Sequence, residues 1–204
     1  LEPEYVDGIA LELQSGVHGS LNDIRNDIQQ QVDLLGLNDY ITDILNIDID
    51  PEDFSEEEIL LGCAPEFSIY TFNEIEKDKN TTLRSCGGHI HIDYQGNKFE
   101  LVEALDYTVG AVDLLWNNRE KVRRQKNYGA FGAHREKKYG IEYRTPSNHW
   151  YWNDQLRQTM DDLLDIVIEV PSFIVDKAKK DGMSAKILSG NQVAIEKWIY
   201  GSIL

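Results

Sequence analysis

Residues 89–92, His89-Ile90-His91-Ile92, alternate polar and apolar side chains without exception, and this short run constrains the fold more than any other feature. Side chains on a strand point to opposite faces in turn, so Ile90 and Ile92 enter a core while His89 and His91 project from the other face. Gly87-Gly88 leads into the run with backbone that can approach a ligand closely. Ile141-Glu142-Tyr143-Arg144 repeats the pattern, with Glu142 and Arg144 sharing a face around Tyr143, and Thr145-Pro146-Ser147-Asn148 ends it. Ile9, Leu11 and Leu13 alternate likewise and turn Glu12 away from the core. Three strands therefore offer polar groups to one open sheet face.

Elsewhere the period is helical. Leu21, Ile24, Ile28, Val32 and Leu35 form a stripe, with Ser20 and Asp23 suited to an N-cap and Gly36 to the stop. Leu101, Leu105, Val109, Val112 and Leu115 predict a helix over 98–118, and Leu156, Met160, Leu163, Leu164 and Val167 predict one from about Trp152 to Pro171. A last amphipathic helix is expected over Gln192 to Tyr200. Residues 46–58 are acidic and read as a solvated connection, and Phe67 to Phe72 read as strand. Strands interleaved with long helices predict an α+β fold, an antiparallel sheet with helices packed on one face, in one domain spanning 1–204.

With 36 acidic against 20 basic residues, the formal charge of -16 repels phosphate backbones and argues against nucleic-acid binding. Two cysteines, Cys63 and Cys86, make no disulfide framework or metal-ligand spacing and read as reduced thiols. No apolar stretch approaches the roughly 20 residues that span a bilayer, so a cytoplasmic location away from membranes is expected.

Against that acidic background, residues 119–138 gather Arg119, Lys121, Arg123, Arg124, Lys126, Arg135, Lys137 and Lys138. Glu12, Glu142 and the two strand histidines suit magnesium or manganese, and arginines before Glu142 can grip phosphate through two parallel bonds. Metal and arginine beside carboxylates are what phosphoryl transfer needs. Each feature also has a plain reading: surface histidines, a solvated Glu-x-Arg salt bridge, and a basic face offsetting the acidic remainder. His18, His134 and His149 have no partner at informative spacing and read as structural or exposed.

The order and wording of three segments resemble the phage-encoded COOH·NH2 ligase family, related to glutamine synthetase and glutamate–cysteine ligase. They are Asp7 to Leu13, Arg84 to Ile92 (R-S-C-G-G-H-I-H-I), and Tyr128 to Arg135 running into Tyr139 to Asn148 (Y-G-I-E-Y-R-T-P-S-N). The resemblance covers roughly residues 7–150. It implies a glutamine-synthetase-like catalytic domain that uses ATP and Mg2+ (or Mn2+) to join an amino-acid or peptide carboxylate to an amine through an acyl phosphate. It also implies His89, Glu142 and Glu12 as metal ligands. Arg135 and Arg144 would act on nucleotide phosphate and the acyl phosphate, and Arg84 and His91 would contact nucleotide or substrate. For a phage-encoded enzyme the location would be the host cytoplasm. No residue stands out as the base.

The family's opening strand, G-x-D-x-E-F, does not precede Leu1, so the domain is expected to lack its first strand. Gly62-Cys63-Ala64-Pro65-Glu66-Phe67 is similar to it but carries Ala64 where an acid is expected, leaving Glu66 a possible ligand. That departure supports the alternative of a catalytically inactive ligase-fold relative acting as a structural or binding component, for example of a phage particle.

Overall fold

A computed structural model of the chain describes residues 5–7, 10–39, 41, 46–55, 59, 66–75, 82–116, 124 and 128–204. In chain order the strands are β1 (Tyr5–Asp7), β2 (Ala10–Glu12), β3 (Asn46–Asp48), β4 (Phe67–Ser68), β5 (Leu83–Ser85), β6 (Ile90–Asp93), β7 (Ala133–Glu136) and β8 (Gly140–Tyr143). Four of them build an antiparallel sheet in the order β4-β7-β8-β6, while β1 with β2 and β3 with β5 form two-stranded antiparallel ribbons.

The isoleucine alternation decides how the main sheet packs. Ile90, Ile92, Ile141 and Tyr143 are buried in one cluster with Leu101, Leu105, Val109 and Val112. These last four come from helices α2 (Lys98–Tyr107) and α3 (Val109–Trp116). Helices thus cover that sheet face, as an α+β arrangement requires. Each fully buried leucine contributes roughly 1.5–3 kcal/mol by leaving water. Register then fixes the other face: on the central strand β8, Glu142 is the cross-strand partner of His91 on one side and Arg135 on the other.

The helix expected over 98–118 is two helices. Thr108 leaves helical geometry at φ −125°, ψ −84°, and its hydroxyl donates to the Ala104 carbonyl at 2.8 Å, a side-chain bond that competes with the helix ladder. Helix α1 (Leu21–Leu35) starts and stops as expected: Ser20 accepts from the Asp23 amide, and Gly36 adopts φ 68°. Leu35, expected on its buried stripe, is instead exposed. Helix α4 (His149–Trp152) precedes α5 (Asp154–Glu169), which Asn153 caps through the Leu156 amide. Pro171 does not merely end α5; it opens α6 (Pro171–Lys180) at a position where its missing N–H costs nothing. Helices α7 (Met183–Leu188) and α8 (Gln192–Trp198) follow. No helix among the described residues is long and apolar enough to cross a membrane.

Three further expectations need correction. Leu11 is 44% exposed, because β2 pairs with β1 in a ribbon rather than joining the main sheet. The acidic connection contains β3 and a 3-10 turn at Pro51–Asp53, since pairing with β5 satisfies its backbone. Phe67 to Phe72 is strand only over β4; the chain turns back at once, with Phe72 at φ 55° and the Ile75 amide bonded to the Glu66 carbonyl at 2.8 Å. Cys63, Ala64 and the rest of the G-C-A-P string before Glu66 lie outside the described residues.

Candidate functional site

Strand β8 positions the site because its two faces are anchored differently. Tyr143 points into the helical layer and donates to Asp106 on α2 at 2.8 Å; Tyr70 donates to the same carboxylate at 2.8 Å. Burial pushes Asp106 up to about 7, although the hydrogen bonds from Tyr143 and Tyr70 pull it down. With Tyr143 held in this way, its neighbours Glu142 and Arg144 must emerge on the opposite face.

There they meet a cluster of charges. Glu142 Oε1 is ion-paired with Arg144 Nη1 and lies 3.4 Å from Arg135 Nη1, while Oε2 lies 2.8 Å from Lys137 Nζ. Arg144 donates through Nε to Glu66 at 2.8 Å and through Nη1 to His89 Nδ1 at 3.0 Å. Glu66, Glu142 and Arg144 are only 1%, 3% and 3% exposed, so the Glu-x-Arg pair is a salt bridge buried beneath the sheet surface rather than the solvated one of the plain reading. Burial alone would raise the Glu142 carboxyl, but Lys137, Arg144 and Arg135 outweigh it and hold the group down at about 2. Arg144 is shifted the other way: burial disfavours its charge, and Glu66 and Glu142 more than restore it. Among the described residues three cations face two carboxylates here, a local positive excess in a chain of net charge -16, and such an excess draws an anionic ligand.

His91 flanks the cluster. It is the cross-strand partner of Glu142, shares a hydrogen bond through Nδ1 with the Tyr139 hydroxyl, and stacks on the Tyr139 ring. Burial lowers its pKa, with Lys137, Arg144 and Arg135 pushing the same way against Glu142, so the imidazole is neutral at pH 7.

Of the residues expected to act together, His89, His91, Arg135, Glu142 and Arg144 do converge. Glu12 and Arg84 lie outside the four-stranded sheet. Glu12 belongs to the β1–β2 ribbon, and Arg84, on β5, donates to the carbonyls of Ile59 at 2.6 Å and Leu83 at 3.3 Å. Glu66, only a possible ligand from the sequence, is inside the cluster. Lys137 is the residue that the sequence reading left without a role; its position two residues after Arg135 was the available signal, because strand alternation returns it to the same face.

Of the two glycines before His89, Gly88 lets the chain pack on itself. Gly88 packs against the Ser147 carbonyl and the Trp150 indole, so closely that a Cβ would overlap both, and it is bonded to Pro146 and Trp150. This close approach is to the protein's own loop. That loop is pinned in turn by Asp113, which accepts from the Ser147 hydroxyl at 2.7 Å and pairs with Arg124 at 3.1 Å. Arg124 also lies over the Phe131 ring and is thus a structural cation; Arg119, Lys121, Arg123 and Lys126 lie outside the described residues, and Lys138 is exposed. His134 is buried against Phe99 and bonded to Gly132, and His18 pairs with Asp27 at 2.8 Å.

His89 Nδ1 and Glu142 Oε1 are 3.7 Å apart and both side chains are largely buried, so as a pair they fit one divalent ion. Among the described residues no three His, Cys, Asp or Glu side chains gather as a complete metal cage. The gap between the two donors holds the Arg144 guanidinium.

Comparison with curated proteins gives no match, and comparison with solved structures gives none. A family model, phage phiEco32-like COOH.NH2 ligase-type 2, matches residues 81–186, more than half the chain. The match runs from the threonine before β5 into α7 and includes Arg84, His89, His91, Arg135, Lys137, Glu142 and Arg144, leaving Glu12 and Glu66 outside. With these residues gathered largely on one sheet face and the match covering them, the chain belongs to the phage phiEco32-like COOH.NH2 ligase-type 2 family, a family of carboxylate–amine ligases.

Proposed function

We propose that this chain is an ATP-dependent carboxylate–amine ligase with a glutamine-synthetase-like sheet, forming an amide through an acyl phosphate in the cytoplasm of a phage's host. The observation that carries the reading is the gathering of Arg135, Lys137 and Arg144 around the buried Glu142 carboxylate in an otherwise acidic protein. The substrate carboxylate oxygen takes the terminal phosphoryl group of ATP, and ADP leaves. The amine nitrogen then attacks the acyl carbon, the C–O bond to phosphate breaks, and the nitrogen gives up a proton.

Arg135, Lys137 and Arg144 bind and orient the phosphoryl oxygens and stabilise the charge that builds on them. Arg84 contacts nucleotide or substrate from β5, and Glu12 supplies a further metal-site carboxylate from the β1–β2 ribbon. His89 and Glu142 are the residues that would hold Mg2+ or Mn2+, and the ion would neutralise phosphate charge. His91, neutral and beside the cations, contacts nucleotide or substrate. The substrates are an amino-acid or peptide carboxylate and an amine, with no nucleic acid and no membrane involved.

Incubation with ATP, Mg2+ and the twenty amino acids tests the reading: ADP and phosphate are expected to appear with wild type and to be lost in Lys137→Met. One observation favours the inactive relative instead, namely that among the described residues no three His, Cys, Asp or Glu side chains gather as a metal site. Calorimetry showing no binding of Mg-ATP by the wild-type protein would establish that reading and refute the ligase.

A further inference from the structure

We infer that Arg144 is the built-in counter-cation of this site, and that a divalent ion and the Arg144 guanidinium compete for the same two donors, His89 Nδ1 and Glu142 Oε1. The inference takes its choice of ion from the proposed function and otherwise stands on geometry. Nη1 of Arg144 lies 3.0 Å from His89 Nδ1 and is ion-paired with Glu142 Oε1, so it fills the 3.7 Å gap between them. Two oxygen or nitrogen ligands at right angles on a magnesium ion, each about 2.1 Å from it, stand about 3 Å apart, so the ion would occupy that same gap.

The conflict extends to the electron pairs. Guanidinium nitrogens only donate, so His89 must accept at Nδ1, through the lone pair it would offer a metal. Either cation can use that lone pair; both together cannot.

Glu66 makes the exchange physically affordable. Stripping a buried guanidinium of every carboxylate would be costly. Nε of Arg144, however, is held separately by Glu66 at 2.8 Å, so leaving Glu142 does not strand the charge. The released Nη1 then becomes a donor for an anion. Metal entry and Arg144 release are therefore one event, and linkage makes the effect reciprocal: an anion that draws Arg144 away raises metal affinity, and the metal raises anion affinity by the same factor.

The test is Mn2+ binding to the full chain without nucleotide, followed by electron paramagnetic resonance, with and without inorganic phosphate. Arg144→Gln is expected to bind Mn2+ about tenfold tighter or more, the scale of one charge-assisted hydrogen bond. Arg144→Lys, which keeps the charge and lacks the fork, is expected to bind tighter than wild type by a smaller factor. It serves as the readout if Arg144→Gln does not fold. Glu66→Gln should bind Mn2+ more weakly, because among the described residues Glu142 is then the only carboxylate left for Arg144. Phosphate should tighten Mn2+ binding several-fold in wild type and leave Arg144→Gln unchanged.

Equal or weaker Mn2+ binding in both Arg144 variants, or no effect of phosphate on wild type, overturns the inference. An equal gain from Lys137→Gln would reduce it to a general charge effect and overturn it as well. Turnover is not involved: absence of ligation with this linkage intact refutes the catalytic reading alone, and ligation without the linkage refutes this inference alone.

Discussion

Asp106→Asn should change how stability depends on pH, by an amount set by the burial of that carboxyl. Asp106 is 2% exposed and accepts from Tyr143 and Tyr70, and burial lifts it from 3.8 to about 7. A carboxyl whose folded value is raised binds more protons in the native state, so stability is greatest below about 3.8 and is lost as pH rises toward about 7. Between 3.8 and about 7, at 1.36 kcal/mol for each step of one in pH, this amounts to roughly 4 kcal/mol.

Asparagine keeps the shape and does not ionise, while the tyrosine hydroxyls can donate or accept. Urea unfolding of wild type and Asp106→Asn at pH 5 and pH 7.5 isolates the effect, because the other titrating groups cancel between the two proteins. Wild type should lose roughly 2–3 kcal/mol relative to the variant between those two values. A difference independent of pH would mean that Asp106 stays charged, stabilised by the hydroxyls of Tyr143, Tyr70 and Thr145, and would refute the argument from burial.

Glu142 has the opposite sign. Held at about 2 by Lys137, Arg144 and Arg135, it contributes stability that is present above about 4.5 and lost as pH falls toward 2, so between those values wild type should lose about 3 kcal/mol more than Glu142→Gln in acid unfolding followed by circular dichroism. Gly88→Ala forces a methyl into the Ser147 carbonyl and the Trp150 indole; a loss of at least about 2 kcal/mol is expected in urea unfolding, and a neutral result would mean that this loop is not tied to β6. Leu105→Ala, at 0% exposure between helix and sheet, should cost about 2–5 kcal/mol by the same measurement. Lys137→Met should weaken Mg-ATP binding in calorimetry about tenfold or more, against no change if Lys137 only balances Glu142.

The sheet was legible because its alternation is strict. Ile90, Ile92, Ile141 and Tyr143 could point only one way once a helical layer existed, and this aimed His91, Glu142 and Arg144 together at the other face. Register was not legible. Nothing local says that β8 lies between β6 and β7, yet that placement makes Arg135 and His91 the two neighbours of Glu142. Long-range pairing likewise hid Glu66, which reaches Arg144 across 78 positions of sequence, and Asp106, which holds Tyr143 across 37. The break at Thr108 escaped the hydrophobic pattern because the apolar stripe continues on both sides of it. The packing of Gly88 on Ser147 and Trp150 was hidden for a related reason: glycine permits close approach without naming what approaches.

The central claim is that a carboxylate is activated by phosphoryl transfer at the Glu142 cluster. Turnover of ATP and Mg2+ with an amino-acid mixture labelled with oxygen-18 in its carboxyl groups tests it most directly. Mass spectrometry of the released phosphate should find one labelled oxygen per phosphate in wild type and no release in Arg144→Met. Unlabelled phosphate, or no phosphate at all from the wild-type protein, would contradict the account.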